Sequence, residues 1–495
     1  MNQTHRTLHC SLHRSLVASG LTLLLLTSNN NVAMGAPGDG PVQTRVAAAI
    51  AAIEERDEEY RAVIVIDPAA TQVARMLDLQ RKAPGLLHGE PVLLKDNIES
   101  KGLATTAGSL ALADNDTGRD APLVTGLRQA GAVILGKANL SEWANFRSEH
   151  SSSGWSAVGG QTRNAHDLAR TPCGSSSGSA VAVALGYVNV AIGTETSGSI
   201  VCPAAINGVV GFKPTHGLVS GEGIVPIAST QDTAGPIANS VALAARTLAV
   251  ISSDTVQGSD VIRKGLINLD AVASLDGLKI GVFSRTQGFD PRRDIALDKI
   301  LQTLEHHGVT LVSDLDIEPY EDYGQDSYDV LLYEFRRDLN AYLSALPNAL
   351  NGMTLASLIA FNQAHAEEEL KYFDQSIFLL AQNLGDSDEN YQQKRKATQK
   401  AMREDGLDRL FTEHQLDALI GITVGPAWMI DWVNGDNSFG SGMAGQAAVA
   451  GNPHITLPLG KVAHLPLGIS LVGERWQDHK LAAIAALLEA AQTAN

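Results

Sequence analysis

The stretch 193–205, Gly-Thr-Glu-Thr-Ser-Gly-Ser-Ile-Val-Cys-Pro-Ala-Ala, constrains this chain most. It follows an apolar alternation, Val188, Val190 and Ile192, that reads as a strand left through Gly193. Small and hydroxyl-bearing residues then crowd together. Such a run lets the backbone turn tightly and brings bare N–H groups close to another molecule. Two readings fit. One is an ordinary Gly/Ser/Thr turn after a strand. The other is a loop in which Ser199 is a nucleophile and the amides of Thr196, Ser197, Gly198 and Ser199 form an oxyanion pocket.

The surrounding pattern alternates helices and strands, which points to an α/β architecture. Helical spacing over 46–60 precedes a strand at 62–66, and a second helix is expected over 69–82. Residues 92–94 read as a buried strand with Lys95 at its end. Residues 121–130 read as a helix, and 132–135 as a strand leading to Lys137. Both lysines directly follow apolar strands. Such a lysine either snorkels to the surface or is held in a dry site. A free lysine titrates near 10.4, so its use as a base near pH 7 costs roughly 4–5 kcal/mol unless burial lowers that value. Lys95 and Lys137 are therefore rival candidates for a base.

Residues 143–163 form a polar, Gly- and Ser-rich loop of the kind that often carries function. The run 173–179, Cys-Gly-Ser-Ser-Ser-Gly-Ser, precedes a tightly packed helix whose N-terminus the serines are expected to cap. Its segment 174–178 matches G-x-S-x-G, the nucleophile elbow, with Ser176 as the central serine. The match is false, because 164–172 does not read as a strand and Asp431 and His454 carry no supporting motif. Asp232 reads as a buried hydrogen-bonding group. Residues 278–283, a helix containing Leu297, Ile300, Leu301 and Leu304, and 309–312 form a βαβ unit. Residues 318–415 are mostly helical and charged, and 318–440 is expected to shape a substrate site. A late strand at 416–422, closing strands near 457–472 and a last helix at 480–491 complete the chain.

The chain has 495 residues, 44% apolar and 18% charged, which suits a large core. Its formal charge of −17 argues against nucleic acid or an anionic membrane surface as partner. Residues 1–36 have a basic start, an apolar core at 16–27 and small residues at Ala33, Gly35 and Ala36. They read as an export signal, too short to span a bilayer, so a periplasmic or secreted protein with no membrane association after cleavage is expected. The mature domain is then 37–495. Of the three cysteines, Cys173 and Cys202 fall outside that signal. They read as two small buried side chains, or as a pair if their loops face each other. No metal-ligand spacing and no Walker or dinucleotide fingerprint occurs, so no cofactor is expected.

Three of these motifs together carry a family resemblance: Leu93-Leu94-Lys95-Asp96-Asn97, the Gly-Ser-Ser-Ser-Gly-Ser-Ala run from Gly174, and the 193–205 stretch. Their order and spacing resemble the amidase signature family over about residues 45–490. The resemblance implies one domain with a mixed β-sheet covered by helices on both faces, and a Ser–cis-Ser–Lys triad. By position, Ser199 is implied as nucleophile, Ser175 as the bridging serine with a cis peptide bond, and Lys95 as base. Thr196, Ser197 and Gly198 are implied as the oxyanion segment, and Lys137 becomes structural. Within the family the segments 141–147, 159–164, 332–335 and 359–365 are most similar to bacterial peptide amidases. These hydrolyse the C-terminal amide of peptides and release ammonia. A small-molecule or short peptide amide is thus the expected substrate. Amidases for small aliphatic or aryl amides, and a non-catalytic periplasmic binding protein, are the other readings. Two positions depart from the pattern. Ser197 stands where an aspartate is expected. Glu90 replaces an apolar residue before Pro91 and, if buried near Lys95, would hold the lysine protonated.

Overall fold

Short apolar runs recur along the chain, and the structure, a computed structural model, gathers most of its strands into one sheet. It describes residues 40–80, 85–347, 350–438 and 442–493. The proposed export signal lies outside these residues. The strands in chain order are β1 (Val63–Ile66), β2 (Pro91–Lys95), β3 (Val133–Ala138), β4 (Trp155–Ser156), β5 (Gly160–Gln161), β6 (Val190–Glu195), β7 (Val210–Lys213), β8 (Thr233–Ala238), β9 (Lys279–Phe283), β10 (Thr310–Leu315), β11 (Ala418–Ile422), β12 (His454–Val462) and β13 (Leu465–Val472). Strands β4 and β5 pair with each other. The other eleven form a sheet in the order β1-β3-β2-β6-β8-β7-β12-β13-β11-β9-β10. The sheet is mixed, as expected. Strand β2 runs parallel to β3 and β6, and β9 runs parallel to β10 and β11. The pairs from β6 to β11 by way of β8, β7, β12 and β13, with β1–β3, are antiparallel.

Alternation along each strand divides the core. Val92, Leu94, Val190, Ile192, Ile280 and Ile420 face helices Val241–Ile251, Pro291–His306 and Asp478–Thr493. Leu93, Leu135 and Ala191 face helices Val42–Tyr60, Ala70–Leu79 and Ser177–Ala184 on the other side. The expected βαβ unit is β9, helix Pro291–His306 and β10, with its strands parallel. The helices Tyr323–Ser344, Leu355–Ala364 and Ser376–Asn383 build a separate cluster around Phe335 and Phe378. That cluster packs on loop residues Trp143, Val225 and Ile227 rather than on the sheet. Among the described residues no helix is long and apolar enough to cross a membrane.

The structure corrects several local expectations. Strand β6 does not end at Gly193 but continues to Glu195, because Gly193, Thr194 and Glu195 pair with Gly235, Ala234 and Thr233 of β8. Gly193 serves close approach rather than a turn, since a Cβ there would lie 2.7 Å from Ser176 Oγ. The serines before helix Ser177–Ala184 do not cap it. Ser176 stands at the cap position without a side-chain cap bond, and Ser177 Oγ donates to the Cys173 carbonyl at 2.6 Å. Cys173 and Cys202 are joined in a disulfide, with Cα atoms 6.1 Å apart, so the reading of two separate thiols is replaced.

Candidate active site

The site forms where the ends of β2 and β6 meet the loop before helix Ser177–Ala184. In β2, Leu93 and Lys95 share the face that this helix covers, so Lys95 points into the interior and is fully buried. Its ammonium nitrogen donates to Ser175 Oγ at 2.7 Å, to Thr194 Oγ1 at 2.8 Å and to the Thr194 carbonyl at 3.2 Å. Among the described residues no carboxylate forms an ion pair with it. Burial pushes its pKa down to about 7, and the more distant charges of Asp232 and Glu195 oppose this only in part.

Glu90 is buried, but it does not act on Lys95. It precedes the first residue of β2, and five residue steps of extended chain set it roughly 16 Å from Lys95 along the strand. Its carboxylate accepts from Asn189 Nδ2 at 2.9 Å. Lys137, the rival base, is buried on the adjacent strand and forms an ion pair with Asp96 at 3.1 Å. It also donates to the Ile98 carbonyl and to Thr105 Oγ1.

Ser175 is fully buried, and the Gly174–Ser175 peptide is cis, as the resemblance implied. Its carbonyl accepts from the Ser141 N–H at 3.0 Å. The next residue ties this loop to the 193–205 stretch twice. The Ser176 N–H donates to the Ser199 carbonyl at 3.1 Å, and Ser176 Oγ bonds both the carbonyl and the N–H of Thr194. The elbow reading of Ser176 is thereby excluded on geometry. His454 and Asp431 stand apart from it as well. His454 is buried against Ser470 Oγ at 2.6 Å and held neutral, its pKa pushed down to about 3 by burial. The Asp431 carboxylate caps an exposed turn at Val433 and Asn434.

Ser199 is half-buried at the turn that opens helix Val201–Asn207. The Glu195 carboxylate accepts from the Ile200 and Val201 N–H groups at 2.7 and 3.1 Å and fixes that turn. The N–H groups of Ser197, Gly198 and Ser199 donate to no group among the described residues. Gly198 has φ +85°, the left-handed region where other residues are strained. A Cβ there would only touch Ala444, so the dihedral and not the space calls for glycine. Thr196 is anchored from outside: its hydroxyl donates to Asp232 Oδ1 at 2.5 Å, and its carbonyl accepts from Gln231 Nε2 at 3.2 Å. The structure thus brings Lys95, Ser175 and the 196–199 segment together. Sequence reading missed Thr194 as a partner of Lys95, although it lies inside the motif, because an apolar alternation ending at Ile192 places the end of the strand at Gly193.

The site thus holds a buried lysine without an ion-paired carboxylate among the described residues, a serine bonded to it, and a turn with three unspent backbone N–H groups. The model of the amidase family matches residues 45–482, and the chain belongs to that family: it is an amidase, a hydrolase of carbon–nitrogen amide bonds. Its similarities are more particular. The crystal structure of native peptide amidase from Stenotrophomonas maltophilia is 41% identical, superposes with a TM-score of 0.84, and the match covers 92% of this chain and 94% of that one. A probable amidase of Arabidopsis thaliana is 38% identical over 89% of this chain and 85% of its own length. A putative amidase of Arthroderma benhamiae is 34% identical over 89% of this chain and 77% of its own.

Proposed function

We propose that this amidase removes the C-terminal amide of peptides, with Ser199 as nucleophile, Ser175 as proton bridge and Lys95 as base. One observation carries the reading: the 2.7 Å bond between Lys95 Nζ and Ser175 Oγ in a buried site without a counter-carboxylate. A lysine near pKa 7 is neutral often enough to act as a base at ordinary pH. Ser199 loses its proton through Ser175 to Lys95 and attacks the amide carbon. The oxyanion forms against the amides of Ser197, Gly198 and Ser199, each such donor contributing roughly 3–4 kcal/mol. The same relay returns the proton to the leaving nitrogen and ammonia departs. Water, deprotonated by the relay, then cleaves the acyl-enzyme and frees Ser199.

The peptide preference is supported by the 41% identity to a peptide amidase. It is supported also by the helical cluster around Phe335 and Phe378, within 318–440, which packs on Trp143, Val225 and Ile227. Export through residues 1–36 is part of the same proposal, and the Cys173–Cys202 disulfide favours an oxidising compartment. The test is ammonia release by the purified protein from a dipeptide amide beside a small aliphatic amide. Fast release from the dipeptide amide, lost in Ser199→Ala, is expected. Release chiefly from the small amide would keep the triad and sink the peptide assignment. Full activity in Ser199→Ala would sink the triad.

A further inference from the structure

The proposed relay has one link that no bond holds. Lys95 Nζ is bonded to Ser175 Oγ, but among the described residues no hydrogen bond joins the hydroxyls of Ser175 and Ser199. Where these two hydroxyls stand relative to each other is therefore set by the segments that carry them. Ser175 lies on the loop before helix Ser177–Ala184, and Ser199 on the turn that opens helix Val201–Asn207.

A disulfide cross-links the two segments. Cys173 stands two positions before Ser175 and Cys202 three positions after Ser199, so the loop closed by their bond contains both serines and Thr194. Each half of the bridge is fastened to the backbone beside its serine. The Cys202 N–H donates to the Gly198 carbonyl at 2.8 Å, inside the oxyanion segment. The Cys173 carbonyl accepts from Ser177 Oγ at 2.6 Å, and its N–H donates to Thr171 Oγ1 at 3.1 Å. Cys173 has φ +54°, a left-handed conformation that a residue with a Cβ keeps only where its surroundings impose it. On the other side of Ser175, Ser176 bonds the Ser199 carbonyl and Thr194. Ser175 is thus tied to the nucleophile segment from both sides, by hydrogen bonds after it and by the disulfide before it.

We propose that the Cys173–Cys202 disulfide is the positioning element of the relay: it sets Ser175 against Ser199, and its reduction by a dithiol switches the amidase to a slow form. The bridge is reachable from one end. Cys173 is buried with Ala427, Trp428 and Leu465, whereas Cys202 is only partly buried. A thiolate of the reductant attacks Cys202 Sγ, the S–S bond breaks, and Cys173 leaves as a thiolate that takes up a proton. The second thiol of the reductant then displaces Cys202 from the mixed disulfide as a free thiol, and the reductant ends as its own cyclic disulfide. Cys173 is then free to leave the left-handed region, and Ser175 shifts with it. A misplacement of about 1 Å at a reacting group costs on the order of a hundredfold in rate. Substrate contacts away from the two serines remain, so the loss falls on kcat rather than KM. The assignment rests on the serine–lysine reading above.

The experiment measures ammonia release from a dipeptide amide by the wild-type protein before and after dithiothreitol, and by Cys173→Ala, Cys202→Ala and the double variant. Thiols are counted and the folded fraction is read by circular dichroism. Reduction is expected to expose two further thiols. In the reduced wild type and in each variant, kcat per folded protein is expected to fall at least about tenfold with KM within about twofold. Reoxidation of the wild type is expected to restore kcat. The double variant is expected to be no slower than either single, because all three lack the same bridge, and dithiothreitol is expected to leave them unchanged. A bridge that only stabilises the fold would lower the melting temperature and leave kcat of the folded protein in place. Unchanged kcat in folded reduced protein, a loss confined to KM, losses that multiply in the double variant, or no gain of thiols on reduction overturns the assignment while the triad stands. Where a variant fails to fold, the reduced and reoxidised wild type decides. Full turnover in Ser199→Ala overturns the triad and this assignment with it.

Discussion

Lys95 and Lys137 are neighbours on parallel strands, in a register that sets Leu94 beside Lys137 and Lys95 beside Ala138. Both are fully buried, and burial lowers the pKa of both. They differ in partner. Asp96 meets Lys137 at ion-pair distance, and its charge favours the ammonium form. Lys95 meets two hydroxyls and a carbonyl, which tolerate the neutral amine. One residue of strand register thus separates a buried lysine that faces a carboxylate from a buried lysine that faces only hydroxyls and a carbonyl. Burial alone does not make a base; burial without a counter-ion does.

The sharpest way to break this comparison is to delete each amine in turn. Lys95→Met is expected to lower kcat/KM on the order of 10⁴-fold, as loss of a member of a nucleophile relay does, and to leave the melting temperature unchanged or higher. Lys137→Met is expected to do the reverse. It strands Asp96 as a buried carboxylate, so a loss of about 3–5 kcal/mol in unfolding free energy is expected, with turnover preserved in the folded fraction. Thermal melts and steady-state rates on both variants decide the matter. Equal activity losses would erase the distinction.

The pH dependence tests the same difference more finely. With Lys95 as the proposed base, which must be neutral to act, kcat/KM is expected to rise about tenfold per unit below pH 7 and to level above it, with a midpoint near the Lys95 value of about 7. The Asp232 carboxylate raises that value where it is ionised, its own pKa being pushed up to about 7 by burial, so Asp232→Asn is expected to move the midpoint to lower pH. Stability follows with a fixed sign. The folded pKa lies below the unfolded 10.5, so the unfolded chain binds the extra proton between pH 7 and 10.5 and stability rises across that window. Lys95→Met is expected to flatten the rise. A midpoint that stays in place in Asp232→Asn would remove that carboxylate from the electrostatics of the base.

The α/β class was legible because the alternation of helical and strand-like runs is a local signal, while the mixed sheet was implied only by the resemblance of the three motifs to the amidase signature family. Strand β8 was not legible. It carries Gly235 and Pro236 in the middle of a sheet, where a proline argues against a strand. A Cβ at Gly235 would lie 2.1 Å from the Phe212 carbonyl oxygen, so the glycine answers to the neighbouring strand β7 and not to its own sequence context. The partner of Lys137 was equally hidden: Asp96 follows Lys95 directly in sequence, yet its charge serves the next strand. The disulfide stayed open for the same reason, since only the fold brings Cys173 and Cys202 within 6.1 Å of each other at the Cα atoms.

The smallest expected effect separates the two adjacent serines, which sequence pattern alone presents as equivalents. The Ser175 hydroxyl is bonded to Lys95, whereas the Ser176 hydroxyl is bonded only to the backbone of Thr194, by 3.0 and 3.1 Å contacts. Ser175→Ala removes the proton bridge that the proposed relay requires. Ser176→Ala removes two neutral hydrogen bonds inside the fold, about 1–2 kcal/mol of stability. The loop's tie to Ser199 through the Ser176 N–H survives that change, because it belongs to the backbone. Activity in Ser176→Ala is therefore expected to fall less than tenfold, beside a near-complete loss in Ser175→Ala. A dead Ser176→Ala with an unchanged melting temperature would mean that the Thr194 contact positions Lys95 itself. The difference between the two buried lysines would then depend on the Ser176 hydroxyl as well as on where Asp96 points.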